Sequence, residues 1–482
     1  MKQLSVFVCL LLTSSTALAQ GTPADYERAN GLRAKYEAAA LNVPGNATWT
    51  ENSSVFSYRR SVKGGHEFVA YDTAAKQKRP AFDHEKLAAS LSKATGNKYA
   101  ALTLPFNTFT FIDGQRSIEA AFDGATWRCA LADYACHKAE PRRRQEDAAP
   151  KVSPDKQQEA VINNYNVAVR PAGSQKLTLL SFDGSEGNAY ELSSIVWSPD
   201  SRKIAAYRVK PGYRREVHYV ESSPEDQLQP KHSTLRYAKP GDVLDTQQPV
   251  IFDVASKKAL VVDNVLFPNA YSLSRLEWRK DNRAVTFEYN QRGHQVYRVI
   301  EADATTGKAR TVVSEEPKTF FNYRTANGSQ SDSGKKYRFD VADGKELIWM
   351  SERDGWNHLY LLDGATGAVK NPITKGNWPV RGVLKVDETA RQVWFSASGM
   401  YPGKDPYFLY VYRVNFDGSG LTRLGAGDDA NHTITVSPDQ KYYVDTYSRI
   451  DLAPVSELRS LGDGSVVSEL ERADVTELAK TG

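Results

Sequence analysis

A nucleophilic serine held on a strand-to-helix elbow needs the pentapeptide G-x-S-x-G, whose glycines allow the strained turn. The chain contains no such pentapeptide. Its nearest look-alike, Asp417-Gly418-Ser419-Gly420, falls between two alternating apolar segments and reads as a hairpin turn. Zinc-peptidase chemistry would need a second histidine four residues after a His-Glu pair. Neither His66-Glu67 nor His84-Glu85 has one. There is no phosphate-binding glycine loop and no dinucleotide fingerprint. His358 and His432 lie in or beside expected strands, where packing or hydrogen bonding accounts for them. The run Arg142-Arg143-Arg144 reads as a solvated loop. No catalytic residue, metal ligand or cofactor motif is therefore expected.

What could hold functional groups in place is a β framework. Aromatic residues make up 11% of the 482, including 25 Tyr and 8 Trp, and such residues suit pleated, half-buried surfaces. Alternating segments recur at 203–209, 284–289, 295–300, 346–350, 358–362, 392–396 and 409–416, separated by Gly or Asp turns. Helical spacing is confined to residues 24–41 and 84–94. The tight turn Ser-Pro-Asp occurs at Ser153, Ser198 and Ser437, each time ahead of an alternating strand. Degenerate copies stand at residues 278–281, 332–335 and 386–388. The steps between them, roughly 45 to 80 residues, suit blades of four strands. One blade cannot bury both faces alone, so blades must pack around an axis. The expectation is an all-β fold, a seven- or eight-bladed β-propeller with short N-terminal helices. Two stretches break the period: a charged loop at 139–152 and a long polar insertion at 219–248 containing Pro224, Pro230 and Pro240.

A net charge of +4, from 62 basic and 58 acidic residues, excludes a nucleic-acid-binding field. The start reads as a signal peptide over 1–19: Lys2, an apolar run at 4–12, then Ala17-Leu18-Ala19 before Gln20. That run is too short to cross a bilayer, which takes about 20 apolar residues, and no later stretch is longer. An exported protein, periplasmic or extracellular, follows. In that compartment Cys129 and Cys136 could pair; the sequence leaves a disulfide and two free thiols both open.

Several stretches resemble the N-terminal propeller of S9 serine peptidases of the dipeptidyl peptidase IV branch. They are SIVWSPDSRKIAAYR at 194–208, WMSERDGWNHLYL at 349–361, ITKGNWPV at 373–380 and YYVDTYSRID at 442–451. The resemblance spans residues 45 to 480. It implies a signal peptide at 1–19, a helical segment at 20–44 and a propeller at 45–482. The family's α/β-hydrolase domain is expected to be absent from this chain, leaving it inactive alone. In the family the propeller covers the active site, limits entry to peptides and holds their amino terminus and backbone. The family's paired glutamates fall here on Ser185-Glu186-Gly187-Asn188, so Glu186 matches one and Gly187 replaces the other. The family's carbonyl-holding arginine falls on Arg59, with Arg60 second. The insertion at 219–248 matches an arm that pairs subunits, which implies a homodimer. The implied partners are a peptide substrate and a hydrolase domain, with no nucleic acid and no membrane span. The alternative is a stand-alone periplasmic propeller serving as a binding or scaffolding module; an independent propeller enzyme is a third, weaker reading.

Overall fold

The computed structural model describes residues 21–37, 39–139, 149–326, 334–425 and 429–480. The expected signal peptide at 1–19, the arginines at 142–144 and the positions 332–333 lie outside them. Among the described residues, eight four- or five-stranded antiparallel sheets follow one another along the chain, with one separate two-stranded ribbon. The blades occupy residues 48–80, 110–138, 151–179, 189–261, 270–315, 338–372, 380–424 and 431–472. In each, the strands pair in chain order from first to fourth. The second and third strands are the buried ones, and fourth strands such as Gln77–Pro80 face solvent. The count is thus eight rather than seven.

The Ser-Pro-Asp repeat shapes the turn from first to second strand. In each copy the buried serine donates its hydroxyl to the aspartate, at 2.6 Å from Ser153 to Asp155 and from Ser198 to Asp200, and at 2.7 Å from Ser437 to Asp439. The same oxygen accepts the amide that opens the second strand, from Gln158, Lys203 and Tyr442. Proline presets the first bend, and the residue three after the serine takes a left-handed conformation, with φ of 62° at Lys156, 63° at Ser201 and 55° at Gln440. In blade 5 buried Arg279 replaces the serine and pairs with Glu301 at 2.7 Å. In blade 6 the turn lies at 342–345, between strands Arg338–Val341 and Glu346–Ser351, not at 332–335.

These turns also link the blades. The Asp155 amide donates to Ser201 Oγ at 3.1 Å, Asp200 to Asn282 Oδ1 at 3.0 Å, Lys280 to Asp343 Oδ1 at 3.0 Å and Ala342 to Glu388 Oε2 at 2.6 Å. A belt of polar contacts thereby runs from blade 3 to blade 7. First-strand tryptophans add a second set: Trp278 Nε1 donates to Val196 O at 3.1 Å and Trp49 Nε1 to Thr435 O at 3.2 Å. Apolar clusters fill the space between blades, and most join two neighbours, such as Ile348, Phe395 and Tyr412 of blades 6 and 7.

The ring closes without strand exchange, since blade 1 and blade 8 each use only their own strands. Phe56, Tyr58 and Tyr71 pack against Val444, Leu458 and Leu470 across this seam. Glu471, from blade 8, receives Tyr58 Oη at 2.9 Å, Arg60 Nη1 at 3.1 Å and Lys78 Nζ at 3.0 Å. Leu41 and Asp474 exchange backbone hydrogen bonds of 2.9 and 2.8 Å beside it.

Helix α1 spans Pro23–Glu37, shorter than the expected 24–41, and its Tyr26 and Leu32 are exposed. Without an apolar surface to pack on, nothing extends it. Helix α2 spans His84–Thr95, capped by Asp83, whose side chain accepts the Lys86 amide, and closed by Gly96. It buries Leu87 and Leu91 between blades 1 and 2. Cys129 and Cys136 are bonded, with Cα atoms 4.1 Å apart, across the last two strands of blade 2.

Candidate functional site

Strand reversal sorts the loops between two faces. Turns joining first to second and third to fourth strands share one face. Second-to-third turns and the connections between blades share the other. The first face carries tight turns such as Asp417–Gly420, where Ser419 donates to Asp417 Oδ1 at 2.6 Å and the pair closes a hairpin. The second face carries the long segments: α2, the described parts of the connection between blades 5 and 6 at 316–326 and 334–337, and the arm.

The arm leaves blade 4 between Lys203–Lys210 and Thr246–Asp253. It is therefore displaced toward the N-terminus relative to the expected 219–248. Pro211 and Gly212 end the blade strand, and an alternating segment then forms the ribbon Glu216–Glu221 paired with Lys231–Arg236. Tyr219, Val220, Leu235 and Tyr237 are exposed on it. The base is fastened by Arg215, which holds Asp242 through two hydrogen bonds of 2.7 and 2.6 Å. Arg215, helped by the Lys239 amide at 2.8 Å, lowers the Asp242 carboxyl to about 2.

The residues singled out in the sequence fall as follows. Arg59 stands midway along the second strand of blade 1, Val55–Val62, and its guanidinium donates to Asn107 Oδ1 in the connection that carries α2. Arg60, its neighbour, is bound to Glu67 at 2.6 Å and to Glu471, so its charge is engaged in the seam. Glu186 lies on the second face, in the connection from blade 3 to blade 4, at the tip of a turn closed by mutual Ser185–Asn188 hydrogen bonds of 3.1 and 3.0 Å. It is exposed and has no hydrogen-bond or ion-pair partner among the described residues. Gly187 beside it has φ +73°, a conformation that suits glycine and would strain a glutamate. Asn166 braces the turn: its Oδ1 accepts the Gly184 amide at 2.8 Å.

Two further carboxylates that motif reading passed over flank this turn in sequence: Asp183 within the connection and Glu191 just after the opening strand Ala189–Tyr190 of blade 4. Asp183 pairs with Arg208 and accepts Tyr190 Oη at 2.9 Å. Burial, then that carboxylate, raises the Tyr190 hydroxyl well above its ordinary value, so it stays protonated. Glu191 is raised as well, by burial and then by Asp245, with Arg214 opposing. Their signal was the acidic spacing Asp183, Glu186, Glu191 just ahead of the first Trp-Ser-Pro turn. An ammonium group brought to Glu186 would find an exposed carboxylate to pair with, and a guanidinium such as that of Arg59 offers a planar fork for a carbonyl.

His358 is fully buried, with Nδ1 3.0 Å from Thr374 Oγ1 and Nε2 2.8 Å from Gly376 O. His432 holds Asp445 at 2.8 Å within blade 8. Among the described residues no three His, Cys, Asp or Glu side chains converge as a metal site. No helix among them is long and apolar enough to cross a membrane.

Comparison with known proteins agrees with this architecture. The family model for the dipeptidyl peptidase IV (DPP IV) N-terminal region matches residues 108–454. Dipeptidyl peptidase 4 of Arthroderma otae is 23% identical over 280 residues, covering 56% of this chain and 34% of that protein. The Trichophyton rubrum protein of the same name matches to the same extent. The chain thus spans about a third of the length of the curated relatives it matches. The crystal structure of Porphyromonas gingivalis dipeptidyl peptidase 4 superposes with a TM-score of 0.54 at 16% identity, covering 94% of this chain and 62% of that one. A Bacteroides ovatus putative dipeptidyl aminopeptidase IV gives 0.51 at 16%, covering 90% and 60%. At such identity the structures share a fold, and the family model carries the assignment: this chain belongs to the dipeptidyl peptidase IV N-terminal region family.

Proposed function

We propose that this propeller gates and recognises substrate for an exported dipeptidyl-peptidase-IV-like serine peptidase, beside an α/β-hydrolase domain that supplies the catalytic serine. The observation that carries this is the sorting of loops. Glu186, the end of the Arg59 strand, α2 and the arm all occupy one face of the disc. A hydrolase seated there would leave peptides only a restricted entry. Glu186, with Asp183 and Glu191 near it in sequence, holds the peptide ammonium, and Arg59 holds a carbonyl. The exposed apolar ribbon pairs two subunits. The leader directs the protein to the periplasm or the extracellular space.

The test is hydrolysis of X-Pro and X-Ala chromogenic dipeptides by the 482-residue chain and by a form extended with downstream coding sequence. Activity is expected only in the longer form. There Glu186→Gln and Arg59→Ala should each raise KM on the order of ten-fold, the loss of one charge-assisted hydrogen bond. Activity in the shorter chain, or an unchanged KM in both variants, would overturn the proposal.

A further inference from the structure

Two of the chain's eight histidines, His218 and His232, meet on the ribbon of the arm. The register sets His218 opposite Thr234 and Val220 opposite His232. Alternation along each strand then puts all four on one face of the ribbon, with the two imidazoles as diagonal neighbours. Both histidines are exposed. Their rings lie 18° from parallel, with centroids 5.2 Å apart, and His218 Nδ1 stands 3.2 Å from His232 Nε2. Two ring nitrogens at that distance share one proton: one donates it, and the other offers its lone pair. Burial does not force them together, because the ribbon stands outside the blades.

A cation that takes the place of the shared proton meets two lone pairs. An ion about 2.0–2.1 Å from each of two imidazole nitrogens holds them about 2.9 to 3.4 Å apart, for bond angles between a right angle and the tetrahedral one. The observed 3.2 Å lies inside that range. Imidazole nitrogens suit zinc, copper and nickel, whereas magnesium and calcium take oxygen ligands. The paired strands fix the two Cβ atoms, so the exposed rings need only turn to aim at one ion. A single arm nevertheless supplies only two ligands, and among the described residues no third His, Cys, Asp or Glu converges on them. A structural zinc site takes four. A two-fold pairing of identical arms brings a surface against its own copy, and the copy's two histidines would complete the set. Val220, opposite His232 on the same face and 61% exposed, gives that face an apolar group to bury beside the ion.

We propose that His218 and His232 of two copies form a four-imidazole site for a divalent cation of the zinc class, which joins the arms. Each imidazole binds in its neutral form and keeps its N–H on the nitrogen turned away from the ion. This rests on the arm-pairing reading above and adds to it the ion that holds the pair.

The test uses the untagged 482-residue chain, stripped with EDTA and dialysed. Zinc chloride is titrated in against a chromophoric zinc indicator, and sedimentation velocity follows the mass. One zinc should be taken up per two chains. The dimer dissociation constant should fall by about ten-fold or more relative to EDTA, by mass action on the state that binds the ion. Magnesium chloride should do neither. His218→Ala and His232→Ala should each abolish the zinc uptake and the zinc-dependent tightening, and leave the behaviour in EDTA as it is. Both positions are exposed, and unchanged melting curves of the variants check that they fold. No zinc uptake, one zinc per chain with no change in mass, or a tightening that survives in both variants each overturns the site. The behaviour in EDTA reports on arm pairing by itself. A metal-free dimer indifferent to zinc leaves arm pairing standing and sinks the site. A chain that is monomeric in EDTA and dimerises with zinc through both histidines upholds the site and sinks pairing by the apolar ribbon alone.

Discussion

At the residue scale, the turn serines show how a short motif becomes structure. Ser198 is fully buried and serves both Asp200 and the Lys203 amide. Ser198→Ala leaves that buried amide unmet and should lower stability by about 1–2 kcal/mol, read as a lower urea midpoint. This much was legible, because the whole motif lies within a few adjacent residues. The two arginines were not separable in the same way. Arg59 and Arg60 are adjacent on a strand and so point to opposite faces. Only the fold shows that Glu471, far along the chain, takes Arg60. Asp242 gives a pH signature. Its folded value of about 2 lies below the ordinary 3.8, so its contribution to holding the arm is present above pH 3.8 and lost as pH falls toward 2. Limited proteolysis should therefore cut the arm faster at pH 2.5 than at pH 5, and Asp242→Asn should remove that difference.

At the element scale, α2 and the closing hairpin of blade 2 carry tests of their own. His84 Nε2 accepts the Phe68 amide at 2.8 Å, so this nitrogen must be unprotonated. Burial holds the imidazole below its ordinary 6.5, against the pull of Glu67. The unfolded chain takes up the proton first as pH falls, so this stability is present above pH 6.5 and declines below it. Melting curves from pH 7.5 to 5 should show the loss, and His84→Gln, which keeps an acceptor without titrating, should flatten it. The Cys129–Cys136 bond closes a short loop, and reducing it should cost about 2–3 kcal/mol by chain entropy, seen as a lower melting temperature. The expected helix at 84–94 was readable because Leu87 and Leu91 mark a buried face. The far end of α1 was not, since apolar spacing alone does not tell whether a surface awaits it. The turn expected at 332–335 was a false copy. Its Asp-Ser-Gly-Lys composition suits any turn, whereas the strand pairing places the blade 6 turn ten residues later.

At the scale of the whole molecule, repeat spacing pointed to a propeller but could not separate seven blades from eight, because the arm stretches one blade and degenerate turns blur others. Which loops share a face was also beyond the sequence until the strands could be counted. Glu471 is the point on which closure turns: it gathers Tyr58, Arg60 and Lys78 of the opposite end of the chain and is only 5% exposed. Glu471→Gln should lower stability by about 3 kcal/mol. It should also speed hydrogen exchange at the Leu41 and Asp474 amides more than at amides inside any blade. The seam has a further consequence in the order of assembly. As the chain is made, each new blade packs on the one just completed, and those contacts are local. The seam alone joins groups 413 residues apart, Tyr58 and Glu471. Contacts of such long span form late. Until blade 8 has been synthesised, Phe56, Tyr58 and Tyr71 on the flank of blade 1 lack the apolar surface that covers them in the closed ring, and that flank is what a chaperone would meet.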